Sequence, residues 1–184
     1  MKRIALITLF LFSGLCVSAE QERKPSNYIS LGLKFNFQSA NDETYNGRDP
    51  LSFSYGPILS YTYNKNFFSS LEYQNLNDFY ANLTKISLDG DLINLNIGYQ
   101  NILADDLGFY ISGGVSYWQI DKTTNIEELS ASGISPIVSV GLTLDIIDQI
   151  EMKIGYEYVN KIGNSKTGSY DSSSLLINMS YNFL

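Results

Sequence analysis

The chain has 184 residues, one cysteine and no histidine, with 12 Lys and Arg against 19 Asp and Glu for a formal net charge of −7. That length suits one domain, and the acidic balance excludes a nucleic-acid binder, whose affinity runs on Lys and Arg neutralising phosphates. Without histidine the usual neutral-pH base of hydrolytic enzymes is missing, and no Cys/His metal cluster can form.

Met1-Lys2-Arg3 is a short basic region, residues 4–17 are apolar apart from Thr8, Ser13 and Gly14, and Val17-Ser18-Ala19 offers small residues before a cut. This is the pattern of a secretory signal peptide over residues 1–19, followed by a domain of residues 20–184. The apolar run is shorter than the roughly 20 residues that a membrane-spanning helix needs. Cys16 follows Leu15, where a lipoprotein cleavage site expects a small residue, and a cut after Ala19 removes the only cysteine with its disulfide and thiol chemistry. Loss of Lys2 and Arg3 takes the charge from −7 to −9. No later segment is long and apolar enough for a transmembrane helix, so entry into a membrane requires a barrel of strands.

After a polar lead, the first strand is predicted over residues 28–38, where Ile29, Leu31, Leu33, Phe35 and Phe37 alternate with Ser30, Gly32, Lys34, Asn36 and Gln38. A period of two marks a strand whose faces see different surroundings. Residues 39–50, rich in Asn, Asp and Gly, read as a loop. The second strand, 51–64, sets Leu51, Phe53, Tyr55, Pro57, Leu59, Tyr61 and Tyr63 against Ser52, Ser54, Gly56, Ser60 and Thr62. Pro57 predicts a bulge or a distorted ladder there. Asn64-Lys65-Asn66 is a tight turn that returns the chain antiparallel. The third strand, 67–75, places Leu71 and Tyr73 opposite to Ser70, Glu72 and Gln74, and residues 76–85 form a second loop. Over residues 86–100, Ile93, Leu95, Ile97 and Tyr99 alternate with Asn94, Asn96, Gly98 and Gln100, while Ile86 and Leu88 have the opposite parity and predict a bulge near Gly90.

Residues 101–106 connect to a fifth strand, 107–121, where Phe109, Ile111, Val115 and Tyr117 alternate with Gly108, Tyr110, Ser112, Gly114, Ser116 and Trp118. A polar loop at 122–132 precedes the strand at 134–145, with Pro136, Val138, Val140, Leu142 and Leu144 against Ser135, Ser139, Gly141 and Thr143. Asp148 and Gln149 lie in the next turn. The strand at 150–160 sets Ile150, Met152, Ile154, Tyr156 and Tyr158 against Glu151, Lys153, Gly155 and Glu157, and a fourth polar loop spans 161–172. The last strand, 173–184, repeats the rule with Leu175, Ile177, Met179, Tyr181 and Phe183 against Ser174, Leu176, Asn178, Ser180 and Asn182.

Eight strands with alternating long and short connections predict an all-β, eight-stranded antiparallel up-and-down transmembrane β-barrel with both termini at the short-turn, periplasmic rim. The rival is a soluble lipocalin-like barrel that turns its apolar set inward around a small apolar ligand. Against it stand the small Ser, Gly, Asn and Thr of the other set, the aromatics gathered toward strand ends, and a lumen too narrow for so many rings. Strands of about 11 residues, rising ~3.3 Å each and tilted about 40–45°, give ~26 Å of height, close to the apolar band of such barrels. Tyr110, Trp118 and Leu176 then plug the lumen. The inward charges Lys34, Glu72, Glu151, Lys153 and Glu157 must be paired or wet, which predicts a lumen network joining lysines to glutamates.

With its leader, its eight alternating strands, the Gly98-Tyr99 and Gly155-Tyr156 pairs and an aromatic-ended last strand, the chain resembles the small outer-membrane barrels of the OmpA transmembrane-domain, OmpX and Ail type. It is more loosely similar to the AcfA-like accessory colonisation proteins. The resemblance implies a bacterial outer-membrane location, contact with membrane lipid and lipopolysaccharide, and an assembly signal at Tyr181, Phe183 and Leu184 read by the barrel assembly machinery. Members of that group usually finish on Phe, whereas here Phe183 is penultimate and Leu184 last. The resemblance also implies a non-enzymatic role in adhesion, colonisation, surface protection or envelope integrity, exercised by four outer loops toward an extracellular host or surface ligand, without cofactor or metal. A lipid-modifying enzyme is the further alternative. The barrel enzymes of that kind depend on a histidine, and rim carboxylates such as Asp78, Asp89 and Asp91 are the only substitutes in view.

Overall fold

The computed structural model describes residues 26–41, 51–76, 87–104, 106–123 and 128–183. Eight strands follow one another: β1 (Tyr28–Asn41), β2 (Leu51–Tyr63), β3 (Phe67–Leu76), β4 (Ser87–Ala104), β5 (Leu107–Thr123), β6 (Glu128–Ile147), β7 (Ile150–Asn164) and β8 (Gly168–Phe183). Each pairs antiparallel with its neighbour in sequence, and β1 closes on β8. Directly opposed residues run round the wall from Ser30 through Ser60, Ser70, Asn96, Gly114, Ile137, Val159 and Ser172 and return to β1 at Ala40, ten residues up the strand. Eight strands with that stagger, spaced ~4.8 Å apart and rising ~3.3 Å per residue, tilt by about 40° and stand about 8 Å from the axis. Side chains alone fill an interior of that size.

The two faces of the wall are inverted relative to a protein in water. Leu31, Leu95, Val140 and Met179 are 49–55% exposed on the outside, whereas Asn36, Asn94, Ser116 and Asn182 are at most 1% exposed inside. A soluble barrel would reverse this, so the lipocalin-like alternative is overturned: the alternating apolar set of every strand, Leu31, Leu59, Leu71, Leu95, Val115, Val140, Ile154 and Met179 among it, turns away from the axis. Such a band of bare apolar surface suits hydrocarbon and would drive aggregation in water. Aromatic rings bound it at both levels. Phe67, Tyr99 and Phe109 meet edge-on and tilted round the short-turn end with centroids 5.4 and 6.2 Å apart, and Phe35, Phe37, Phe53 and Tyr55 cluster at the other end. Rings at these two heights match the headgroup levels of a bilayer.

Asn64 and Lys65 take left-handed φ values of 51° and 64°, which closes the tight β2–β3 turn. Lys65 N donates to Ser26 O at 2.9 Å, Asn182 N donates to Gln149 O at 2.7 Å, and Ile29 opposes Phe183. The beginning of β1 and the end of β8 therefore share the short-turn rim.

Several local expectations need correction. Register on the β5 side runs unbroken through Gly90 and on the β3 side reaches it as the last pair with Leu76, so no bulge lies there. Leu88 instead points inward, because the lumen becomes apolar at that height, and the β4–β5 slip falls between Ile102 and Ala104. Of the two outcomes expected at Pro57, the distorted ladder is found and the bulge is not: the β2–β3 register is the same on either side (Tyr55 opposite Asn75, Ile58 opposite Glu72) with a lapse between, as a residue lacking N–H requires. Residues 101–104 and Leu76 belong to strands, as does most of the expected loops at 122–132 and 161–172, whose Ser and Thr continue the ladders. Of the expected loop at 39–50, residues 39–41 extend β1 and residues 42–50 lie outside the described residues, as do residues 77–85 of the expected loop at 76–85 and the leader at 1–19.

Candidate functional site

Among the described residues, the lumen gathers five buried ionisable side chains, Lys34, Glu72, Glu151, Lys153 and Glu157. Lys34 of β1, Glu72 of β3 and Glu157 of β7 share the inward parity of their strands and meet near the axis. Lys34 Nζ donates to Glu72 Oε2 at 2.6 Å and to Glu157 Oε2 at 2.5 Å. The remaining carboxylate oxygens are occupied as well. Glu72 Oε1 accepts from Ser70 Oγ and Asn96 Nδ2, each at 2.9 Å, and Glu157 Oε1 accepts from Asn36 Nδ2 at 3.1 Å. Asn36 Nδ2 also reaches Gln74 Oε1 at 2.8 Å. A buried ion pair holds only if its lone pairs are met in this way. The result is a brace that ties β1, β3 and β7 across the barrel.

Lys153 and Glu151 form a second group closer to the short-turn rim. They sit two residues apart on β7 and therefore on one face. Lys153 Nζ lies 3.3 Å from Glu151 Oε1 and 3.2 Å from Gln100 Oε1, and its charge faces the Phe68 ring at 4.2 Å from the centroid. Between the two groups is a cavity of about 30 Å³ lined by Lys34, Glu72, Lys153, Ser112, Ser139 and Asn178 among others. That volume holds one or two waters and nothing larger.

Tyr110 closes this level. Its ring lies over Gly141 and Gly155, which oppose each other on β6 and β7. A Cβ on Gly141 would come to 2.8 Å from the ring, and one on Gly155 would strike Oη. Phe68, Tyr110 and Leu176 pack together.

Above the brace the lumen turns apolar. Trp118, Ile137, Val159, Ile162 and Tyr170 pack with Leu76, Leu88, Leu92 and Ile120 as a dry core inside the barrel. Of these only Trp118 is foreseen by the sequence reading. The signal was present in the alternation itself, since Leu88, Leu92, Ile120, Ile137 and Val159 are apolar residues in the inward register, concentrated at the outer ends of the strands.

Of the other candidates, Tyr181 and Phe183 face outward at the short-turn rim with centroids 5.1 Å apart, while Leu184 lies outside the described residues. Asp78 also lies outside them. Asp91 is spent on the outer wall, where Oδ1 accepts from Tyr73 Oη at 2.6 Å and Asn75 Nδ2 at 3.0 Å. Asp89 is exposed opposite Asp121.

Comparison with known proteins agrees with this architecture. A family model described as an outer membrane protein beta-barrel domain matches residues 7–183. Outer membrane protein A of Citrobacter freundii is 30% identical over 90 residues, which cover 47% of this chain and 37% of that protein, so the match spans little more than a third of its length. The crystal structure of Neisserial surface protein A is similar at a TM-score of 0.69 and 16% identity, covering 88% of this chain and all of the other. The attachment invasion locus protein of Yersinia pestis, crystallised with the heparin analogue sucrose octasulfate, is similar at a TM-score of 0.61 and 13% identity, covering 86% and 100%.

Proposed function

This chain belongs to the outer membrane protein β-barrel family, and we propose that it is a non-enzymatic barrel of the bacterial outer membrane that presents its outer rim to a ligand at the cell surface. The observation that carries this reading is the filled lumen. A wall about 8 Å from its axis, braced by Lys34 and plugged by Trp118, leaves the rim as the part free to meet a partner. Rim segments on a rigid scaffold are where binding is usually built. On this reading residues 1–19 direct export, residues 20–184 form the barrel, and both ends face the periplasm. Tyr181, Phe183 and Leu184 engage the assembly machinery, and the apolar belt meets membrane lipid and lipopolysaccharide.

The heparin analogue bound by the Yersinia protein is a polyanion. The charge here favours a different partner. Among the described residues of the outer rim, Asp89, Asp121, Glu128 and Asp171 stand against Lys122, Lys161 and Lys166, on a chain of net charge −7. Complementarity selects a neutral or basic surface ligand. Replacing residues 42–50 and 77–85 with short turns tests the proposal through binding of host cells or serum factors by bacteria that display each form. Loss of binding, with heat-modifiable gel mobility retained, is expected. Unchanged binding refutes rim recognition, and a gain in detergent sensitivity alone would assign the role to envelope integrity.

A further inference from the structure

The lipid-facing band has a local irregularity. Between its two aromatic levels, the outward positions of the described residues hold Leu, Ile, Val, Met, Pro, Phe or Tyr, with two exceptions, Ser69 on β3 and Gly113 on β5. Both stand directly opposite the same residue, Ile97 of β4. Flanked by a short side chain on one side and bare backbone on the other, Ile97 is 71% exposed, against 55% for Leu95 on the same strand. The wall thus bears a knob beside a notch, two residues along the strands from the opposed rings of Phe67 and Tyr99.

Nothing inside the molecule asks for the glycine. A Cβ added to Gly32 would strike Met179 O, one on Gly56 would strike Tyr73 O, one on Gly98 the Phe68 ring and one on Gly114 Leu95 O. A Cβ added to Gly113 comes no nearer than 3.8 Å to Ile137 O and 4.0 Å to Val138 Cγ1. Nor does the backbone need it: the left-handed glycines are Gly163 and Gly168, whereas Gly113 lies in the middle of β5. Glycine weakens a strand interior, and its other use there is to let a second backbone or a ligand come close. Among lipid chains, where burying apolar groups drives no association, close packing through small residues is what holds protein surfaces together.

We propose that Ile97 and Gly113 form a self-complementary contact through which two copies of this chain pair side by side in the membrane. The partner must supply an apolar knob at the depth of Gly113 and a recess at the depth of Ile97, and a second copy supplies both. Copies in one membrane share one orientation, so the two-fold axis that relates them runs along the membrane normal. An axis between β4 and β5 sets Ile97 of each copy against Gly113 of the other. The two residues are directly opposed, and at a strand spacing of ~4.8 Å and a tilt of about 40° they differ in height by about 3 Å, within reach of an isoleucine branch. Leu95, Ile111 and Val115, all exposed, surround the contact with apolar groups and no charge.

Ser165 is exposed in the β7–β8 turn, away from this face, and takes a dye as Ser165→Cys in a Cys16→Ser background. Donor-labelled and acceptor-labelled barrels are reconstituted together in phosphatidylcholine vesicles and diluted with lipid. Energy transfer that falls along a monomer–dimer curve is expected. Gly113→Val fills the notch and Ile97→Ala removes the knob, and each should raise the protein-to-lipid ratio at half-maximal transfer about tenfold, while Leu33→Ala on the opposite flank leaves it unchanged. The valine meets open space, so the dilute Gly113→Val barrel should resist urea at least as well as the parent, which separates a contact between copies from a need of the fold. In unlabelled vesicles, Ile97→Cys and Gly113→Cys copies should cross-link faster when mixed than either does alone. Transfer that is absent from the parent, or unchanged in both Gly113→Val and Ile97→Ala, overturns the pairing, as does a dilute Gly113→Val barrel that is less stable than the parent. Cross-linking of Gly113→Cys in native outer membranes to a protein of another size in place of its own copy assigns the face to a different partner and overturns it as well.

Discussion

Replacing Lys34 by Met keeps the length of the side chain and removes its charge from the centre of the barrel. Lys34 is 3% exposed and bonded to two carboxylates that are themselves buried. The variant leaves Glu72 and Glu157 facing each other with only hydroxyl and amide donors. Breaking a buried ion pair by removing one partner costs about 3–5 kcal/mol, because the surviving charge stays desolvated. Two stranded carboxylates put the loss at the upper end, about 5 kcal/mol. Reversible urea unfolding in lipid vesicles, followed by Trp118 emission and heat-modifiable gel mobility, measures it. The control is Lys34→Met with Glu72→Gln and Glu157→Gln, which removes all three charges and should recover most of the loss, since a polar but uncharged lumen has no unpaired ion to bury. A Lys34→Met barrel within about 1 kcal/mol of the parent would refute the reasoning, showing that water reaches these groups freely and that the brace contributes little.

Other expectations follow from the same map. Trp118→Ala removes the largest side chain of the dry core and should cost about 3–5 kcal/mol in urea unfolding followed by heat-modifiable gel mobility, the variant having lost the only tryptophan. Leu95→Arg, at the middle of β4 on the outer face, should cost about 2–4 kcal/mol in vesicles, the depth-dependent penalty of a charge among lipid chains. Gly155→Ala drives a methyl group into Tyr110 Oη and into the Val140 carbonyl oxygen, and should cost about 1–3 kcal/mol; pairing it with Tyr110→Phe, which removes one of the two struck atoms, should return only part of that loss. A Gly155→Ala barrel as stable as the parent would refute the close approach of β6, β7 and Tyr110 at this level.

The strand number, the pairing and the orientation were legible because a period of two is a local property. Each odd residue of β1 from Ile29 to Phe37 faces outward, and no distant contact is needed to read that. Strand ends were less legible. The polar residues at 128–132 and 168–172 look like loop sequence, yet they extend β6 and β8, since on a wall standing above the lipid Ser and Thr are as good as Val on the outer face. Leu88 is hard to place for a related reason. Its parity conflicts with an inward face that is polar all the way up, whereas β4 carries it straight into the dry core. The meeting of Lys34 with both Glu72 and Glu157 depends on the stagger of ten residues round the barrel, which is a property of the closed sheet and of no single strand.

The strands differ in length, from the 10 residues of β3 to the 20 of β6. At ~3.3 Å per residue and a slope of about 40°, the ten extra residues of β6 add roughly 25 Å of wall, shared between its two ends. At the outer end β5 and β6 stay paired as far as Thr123 opposite Glu128, so the ladder continues beyond the apolar belt. On that flank a visitor from the medium meets a stiff, backbone-paired palisade, which can hold a docking shape without being ordered by the encounter.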